Sequence, residues 1–192
     1  MLENYNIILG SGSPRRKELL AGLGVRFRVL VRKGVSEDYP ANLNAHEVAQ
    51  YISEEKMSAY TDLLEGNTIV ITADTVVNCD GEIMGKPTDE PDAKQMLRKL
   101  SSKTHQVTTG VCIASKDKRM SFHVTTDVTF KTLSEEEIAH YIDNYKPFDK
   151  AGAYGIQEWI GYIGVTSLNG SYFNVMGLPV QRIYETLREF DK

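Results

Sequence analysis

The sequence places one aspartate inside a run rich in β-branched residues, Ile69-Val70-Ile71-Thr72-Ala73-Asp74-Thr75-Val76-Val77. A carboxylate in a buried strand is costly unless it is paired, hydrogen-bonded or bound to a metal. Asp74 is therefore either a structural ion-pair partner or part of a reacting site. A second group of residues has the composition of an anion site: Ser11-Gly12-Ser13-Pro14-Arg15-Arg16. Ser13 reads as a helix N-cap with Pro14 at the first helical position. A helix start offers unpaired N–H groups and a partial positive charge, and upstream glycines let a phosphate come close. Two serine hydroxyls and two guanidinium forks add donors. The helix dipole disfavours each cation in that first turn by ~0.3–1 kcal/mol. The pair fits an arriving anion better than it fits an empty turn, although a capped turn with two solvated arginines is the plain alternative. No Gly-Lys-Ser/Thr follows, so this is not a Walker loop.

Three more charged residues complete the chemistry. Glu37 lies in a polar loop and alone reads as a solvated acid. Lys86 stands in Gly85-Lys86-Pro87. A two-residue Asp80-Gly81 turn sets Thr75 opposite Lys86, which leaves Lys86 and Asp74 on opposite pleat faces unless Gly85 and Pro87 release Lys86 from the ladder. Lys56 falls on the apolar face of its helix and either points into a cleft or snorkels outward.

The elements that must position these groups alternate. Tyr5–Leu9 reads as a buried strand, followed by a tight loop and a helix whose apolar face is Leu19, Leu20 and Leu23, with Gly24 as its stop. Phe27–Val31 is a second strand. Asn44 and Glu47 form a capping box that opens a helix running to about Tyr60. The Ile69–Val77 strand turns at Asp80-Gly81 and returns over Glu82–Met84. A helix spans Asp92–Leu100, and strands span Val107–Ala114 and Phe122–Phe130, the latter alternating as a half-buried strand does. Ser134 and Glu137 cap a helix that Pro147 ends. A glycine-rich stretch, Gly152–Gly177, precedes a last helix over Pro179–Phe190. Interleaved strands and helices define an α/β fold with a mixed sheet.

With 192 residues the chain suits a single domain over 1–192, and 41% apolar with 25% charged residues is ordinary for a globular protein. The net charge of -4 argues against a broad electrostatic grip on nucleic acid. Two cysteines, Cys79 and Cys112, are too few for a disulfide framework and read as buried thiols. No run is long enough for a signal core or a membrane span, so the expectation is a cytoplasmic protein without a membrane partner.

Taken in order, these segments resemble the Maf family of nucleotide pyrophosphatases. The match runs from Leu9-Gly10-Ser11-Gly12-Ser13-Pro14-Arg15-Arg16-Lys17-Glu18-Leu19-Leu20 through Ser36-Glu37, Glu55-Lys56, Thr72–Val77, Gly85-Lys86-Pro87 and His105–Val111. It ends with Asp149–Gln157 and Asn174–Pro179. The resemblance implies a two-lobed α/β fold, a mixed sheet flanked by helices with a deep central cleft (Maf/ITPase-like), often as a homodimer. It implies hydrolysis of a nucleoside triphosphate to the monophosphate and pyrophosphate with a divalent metal, Mg²⁺ or Mn²⁺. The family's functional positions fall on Ser11, Arg15, Glu37, Lys56, Asp74, Lys86 and Gln157. Ala73-Asp74-Thr75 looks like the branch that prefers dTTP and UTP, whereas Ser-Asp-Gln looks like the branch acting on 7-methyl-GTP. Gly10 stands where many members carry alanine, and Glu158 where many carry glycine.

On that resemblance the expected catalytic group is Asp74, Lys86, Glu37 and Lys56. Asp74 and Glu37 hold the metal, and Asp74 is metal ligand, general base or both. Arg15, Lys56 and Lys86 stabilise phosphate charge. The expected substrate contacts are Ser11, Ser13, Arg15, Arg16, Thr75, Lys150 and Gln157, with the Gln157 amide able to read a base edge. Asp149 is a weaker pocket candidate. The competing function is a non-catalytic nucleotide-binding regulator of cell division.

Overall fold

Runs of aliphatic and β-branched residues form one seven-stranded mixed sheet in the computed structural model, which describes residues 2–191. The strands are β1 (Asn6–Leu9), β2 (Phe27–Val29), β3 (Thr68–Cys79), β4 (Glu82–Met84), β5 (Thr104–Ala114), β6 (Arg119–Phe130) and β7 (Val165–Asn169). Their order is β2-β1-β3-β5-β6-β7, with β4 paired to β3. β1 runs parallel to both β2 and β3, while β4 and β7 are antiparallel to β3 and β6. The helices are α1 (Pro14–Ala21), α2 (Ala45–Ser58), α3 (Glu90–Leu100), α4 (Glu135–Tyr145), α5 (Trp159–Gly164), α6 (Tyr172–Met176) and α7 (Val180–Arg188). Among the described residues no helix is long and apolar enough to cross a membrane.

The chain divides into two compact units, and the division falls inside strands. The first takes the chain up to Asp74, Thr109–Val124 and everything from Gly177 onward. One of its apolar clusters joins Ile8, Met57, Tyr60, Val70, Cys112 and Ala114. The capping box of α2 forms as expected: Asn44 accepts from the Glu47 amide while the Glu47 carboxylate takes the Asn44 amide. Burying Val48, Ala49, Ile52 and Met57 gives α2 its inner face. Gly110 on β5 permits a very close approach there. A Cβ at Gly110 would sit 2.2 Å from the Ala49 carbonyl carbon and oxygen.

The second unit comprises Thr75–Thr108 and Thr125–Met176. Its core gathers Val77, Leu97, Leu100, Phe130, Tyr141 and Ile160 with neighbours from the same elements. Asp80 and Gly81 both have positive φ, 52° and 82°, which is the backbone of the expected two-residue hairpin. The pairing Val77↔Met84, Asn78↔Ile83, Cys79↔Glu82 fixes its register. Both cysteines are free and buried.

Several boundaries differ from the sequence expectation. Tyr5 precedes β1, and β2 stops at Val29 rather than Val31. Helix α1 ends at Ala21 because Gly22 caps it, and Gly24, at φ 71°, turns the chain three residues past that end. The glycine-rich stretch is not irregular throughout, since it holds α5, β7 and α6. The reason is tertiary. Gly161 lets α5 seat against the Ile156 carbonyl, which would lie 1.8 Å from an added Cβ, and β7 gains its ladder from β6.

Candidate active site

The first unit builds a charged site from the anchoring of α2. Thr72 on β3 donates its hydroxyl proton to the Ser53 carbonyl at 2.7 Å, and Ser53 is wholly buried. Lys56, three residues further along the same helix face, then reaches inward. Its Nζ lies 2.7 Å from Asp74 Oδ1 and 2.8 Å from Glu37 Oε1. The side chains of Lys56 and Asp74 are 17% and 12% exposed, against 49% for Glu37. The structure thus selects the inward orientation for Lys56. The paired acid on β3 is real, and Glu37 is not merely a solvated loop residue.

The serine–arginine loop lies at the end of β1 in the same unit. The Gly10 amide donates to the Ile71 carbonyl at 2.8 Å, extending the parallel ladder and holding the loop beside β3. Ser13 is the N-cap of α1, its hydroxyl accepting from the Arg16 amide at 3.4 Å. Ser11, buried, accepts from the Ser13 amide at 3.3 Å. Arg16 turns to protein acceptors: its Nε donates to the Gly177 carbonyl and its Nη1 to the Ala73 carbonyl, each at 2.8 Å. Burial pushes the Arg16 pKa down, and the neighbouring Asp74 carboxylate partly restores it. Arg15 is half-buried at the start of the helix.

The second unit holds the other expected residues. Strand β4 ends at Met84, and the Gly85 carbonyl accepts from the Gly152 amide at 3.0 Å, so Lys86 lies beyond the ladder and its side chain is exposed. Thr75 is half-buried on β3. Lys150 is buried, with its Nζ 2.8 Å from Asp149 Oδ1 and 3.2 Å from Glu158 Oε1. Glu158 also accepts the Tyr141 hydroxyl proton, and that hydroxyl oxygen accepts from the Gly155 amide at 3.0 Å. Burial, reinforced by Glu158, drives the Tyr141 pKa upward. A Cβ on Gly155 would lie 2.9 Å from Gln157 Nε2 and 3.0 Å from Lys150 Cε, so the amide and the lysine crowd one backbone position. Among the described residues, none donates a hydrogen bond to the buried Gln157 Oε1. Helical spacing places Tyr141 with Ile138 and Ile142 on the buried face of α4. The missed signal is its hydroxyl, which needs a partner when the ring is buried.

Among the described residues no three His, Cys, Asp or Glu side chains form a self-contained metal site. Glu37 and Asp74 nevertheless present two hard oxygen donors on one ammonium. Mg²⁺ commonly takes one or two carboxylates from a protein and completes its shell with substrate phosphates and water. The donor set fits such an ion.

The fold and the first unit define an α/β protein whose charged, oxygen-rich site adjoins a helix start. A family model described as Maf-like protein matches residues 6–190. The chain belongs to the Maf-like protein family. It is 57% identical over 188 residues to a dTTP/UTP pyrophosphatase of Phocaeicola vulgatus, covering 98% of this chain and 97% of that protein. A dTTP/UTP pyrophosphatase of Porphyromonas gingivalis is 51% identical over 191 residues, with 98% and 96% covered. Among solved structures, a HAM1 protein from Coxiella burnetii superposes with a TM-score of 0.52 at 10% identity, over 96% of this chain and 99% of that one. That likeness concerns the fold alone.

Proposed function

We propose that this chain, acting as one domain over 1–192, hydrolyses dTTP and UTP to the monophosphate and pyrophosphate. The observation that carries the reading is the Lys56 ammonium shared by Asp74 and Glu37, in the same unit as the serine–arginine helix start. The names of its relatives supply the substrates.

In this reading Ser11, Ser13, Arg15 and the first amides of α1 receive the phosphates. Asp74 accepts a proton from the water that attacks the α phosphorus, and the α–β bridging oxygen leaves with pyrophosphate. Lys56 holds the Asp74 carboxylate in place and, with Arg15 and Lys86, offsets the charge gathering on the leaving group. Asp74 and Glu37 would hold Mg²⁺ or Mn²⁺, which when bound supplies charge neutralisation and Lewis acidity.

Thr75, Lys150 and Gln157 are the proposed contacts for the rest of the nucleotide. Uracil and thymine carry an N3–H donor where cytosine has an acceptor. The unpartnered Gln157 Oε1 suits the donor. The acidic balance and the family resemblance support a cytoplasmic homodimer acting on free nucleotide rather than on DNA or RNA.

The test is pyrophosphate release from a panel of nucleoside triphosphates with Mg²⁺ or Mn²⁺, for the wild type and Asp74→Asn. We expect dTTP and UTP to lead the panel and the folded Asp74→Asn protein to lose most turnover. Nucleotide binding without pyrophosphate release would fit a non-catalytic regulator instead. Release of orthophosphate would make the protein a phosphatase.

A further inference from the structure

Arg16 follows Arg15 in the first turn of α1. Arg16 places donors on three segments of the first unit. Its Nη1 reaches Ser11 Oγ at 3.4 Å in the serine loop and the Ala73 carbonyl at 2.8 Å, one residue before Asp74. Its Nε reaches the Gly177 carbonyl at 2.8 Å, ahead of α7. Gly177 adopts φ 120°, a backbone that favours glycine. A guanidinium is a rigid plane with its N–H groups in a fixed fork. The separation of those three acceptors is therefore tied to the covalent geometry of one group.

We propose that Arg16 is a positioning residue. It fixes the serine loop relative to the Asp74 carboxylate, so that a phosphate seated on the loop and the carboxylate keep a set distance. This rests on the reading of Asp74 as the group that acts on the attacking water. A lysine at position 16 keeps the charge but offers a single nitrogen, which cannot donate from two separated points of a plane. A local misplacement of about 1 Å costs on the order of 10²-fold in rate. The effect belongs in kcat rather than in nucleotide affinity.

The experiment compares Arg16→Lys and Arg16→Ala with wild type in two measurements. One is kcat with dTTP and Mg²⁺; the other is the Kd for the non-hydrolysable α,β-imido analogue of dTTP. We expect kcat to fall by about 10²-fold in both variants, with Kd changing by less than about threefold, well under the tenfold step that a lost charge contact produces. Millimolar guanidinium ion should recover part of the lost kcat in Arg16→Ala and do nothing to wild type. A Kd weakened tenfold or more in Arg16→Ala and restored in Arg16→Lys would overturn the proposal in favour of direct phosphate contact. Unchanged kcat in either folded variant would reduce Arg16 to a purely structural role. If Arg16→Ala does not fold, Arg16→Lys decides alone, because its Kd and kcat still separate the two roles. Full turnover by folded Asp74→Asn protein would sink the reading of Asp74 instead, so the two failures are distinguishable.

Discussion

Acidification should weaken this protein well above the carboxylate range, and one buried imidazole sets the size of the effect. His105 is 1% exposed, with Nε2 at 2.7 Å from the Tyr154 hydroxyl and a buried Nδ1 that has no hydrogen-bond partner among the described residues. Its ring meets Phe130 and Tyr154 edge-on at 5.1 and 5.4 Å. Desolvation lowers its pKa from 6.5 to about 4. Between those values the unfolded chain binds a proton that the folded chain refuses, so stability rises with pH across the window. The contribution is complete above the unfolded value and is lost as pH falls toward the folded one. At 1.36 kcal/mol per unit the whole window amounts to ~3 kcal/mol, and ~2 kcal/mol is gone by about pH 5. His123 is also lowered, by desolvation and by His46, and adds a loss of the same sign. Carboxylates held low by cations, such as Glu137 beside Lys131, add theirs only below the ordinary carboxyl value. The variant His105→Gln isolates the term, because an amide does not titrate. Urea denaturation of both proteins from about pH 7.5 to 5 should give a wild-type curve that falls ~2 kcal/mol further than the variant's. Parallel curves would refute the assignment. The consequence reaches the site, since Tyr154 belongs to the segment that carries Lys150 and Gln157.

Three other outcomes follow from the same structure. Gly110→Ala would force a Cβ against the Ala49 backbone. It should cost about 3 kcal/mol in thermal denaturation and lower dTTP turnover, because the displaced helix carries Lys56. Lys56→Met leaves the buried Asp74 carboxylate without its cation. It should destabilise the metal-free protein by about 3 kcal/mol, and Mg²⁺ should restore part of that if Asp74 and Glu37 hold the ion. Gln157→Ala removes the unpartnered acceptor. The ratio of kcat/KM for dTTP over dCTP should fall by about tenfold or more, read from initial rates of pyrophosphate release, since a site built around one hydrogen bond discriminates strongly.

Much of the fold was legible because local signals and tertiary needs agree. The two capping boxes, the Asp80-Gly81 hairpin and the β3 run all formed where residue chemistry puts them. The stretch from Gly152 to Gly177 was not legible. There the glycines serve close approach, as Gly161 does against Ile156, rather than irregular backbone. In the site, the buried cost of Asp74 pointed correctly to a partner. Periodicity could not tell whether Lys56 turns inward, because that depends on the Thr72–Ser53 bond and on Gly110, two contacts far apart in sequence. The partners of Glu158 and Arg16 were not legible either: Glu158 meets Lys150 and Tyr141, and Arg16 donates to the Gly177 and Ala73 carbonyls. Those partners come from segments distant in sequence, which local spacing does not bring together.

The two departures from the family pattern become intelligible on the same footing. Gly10 stands where many members carry alanine, and here a Cβ would fall 2.9 Å from the Tyr60 ring and 3.0 Å from Thr72 Cγ2. Tyr60 is not easily moved. Its hydroxyl donates to the Leu30 carbonyl at 2.9 Å and accepts from the Arg32 amide at 3.1 Å, fixing the chain that leaves β2 for the Glu37 loop. Gly10 and Tyr60 are thus a matched pair: a small residue at the serine–arginine loop makes room for a large one that orders the neighbouring segment. Glu158, where many members carry glycine, shares the Lys150 ammonium with Asp149 and accepts the Tyr141 hydroxyl proton. One ammonium thus faces two carboxylates, and the cluster keeps a net negative charge. Both departures are matched by packing partners, the Tyr60 ring beside Gly10 and the Lys150 ammonium and Tyr141 hydroxyl beside Glu158.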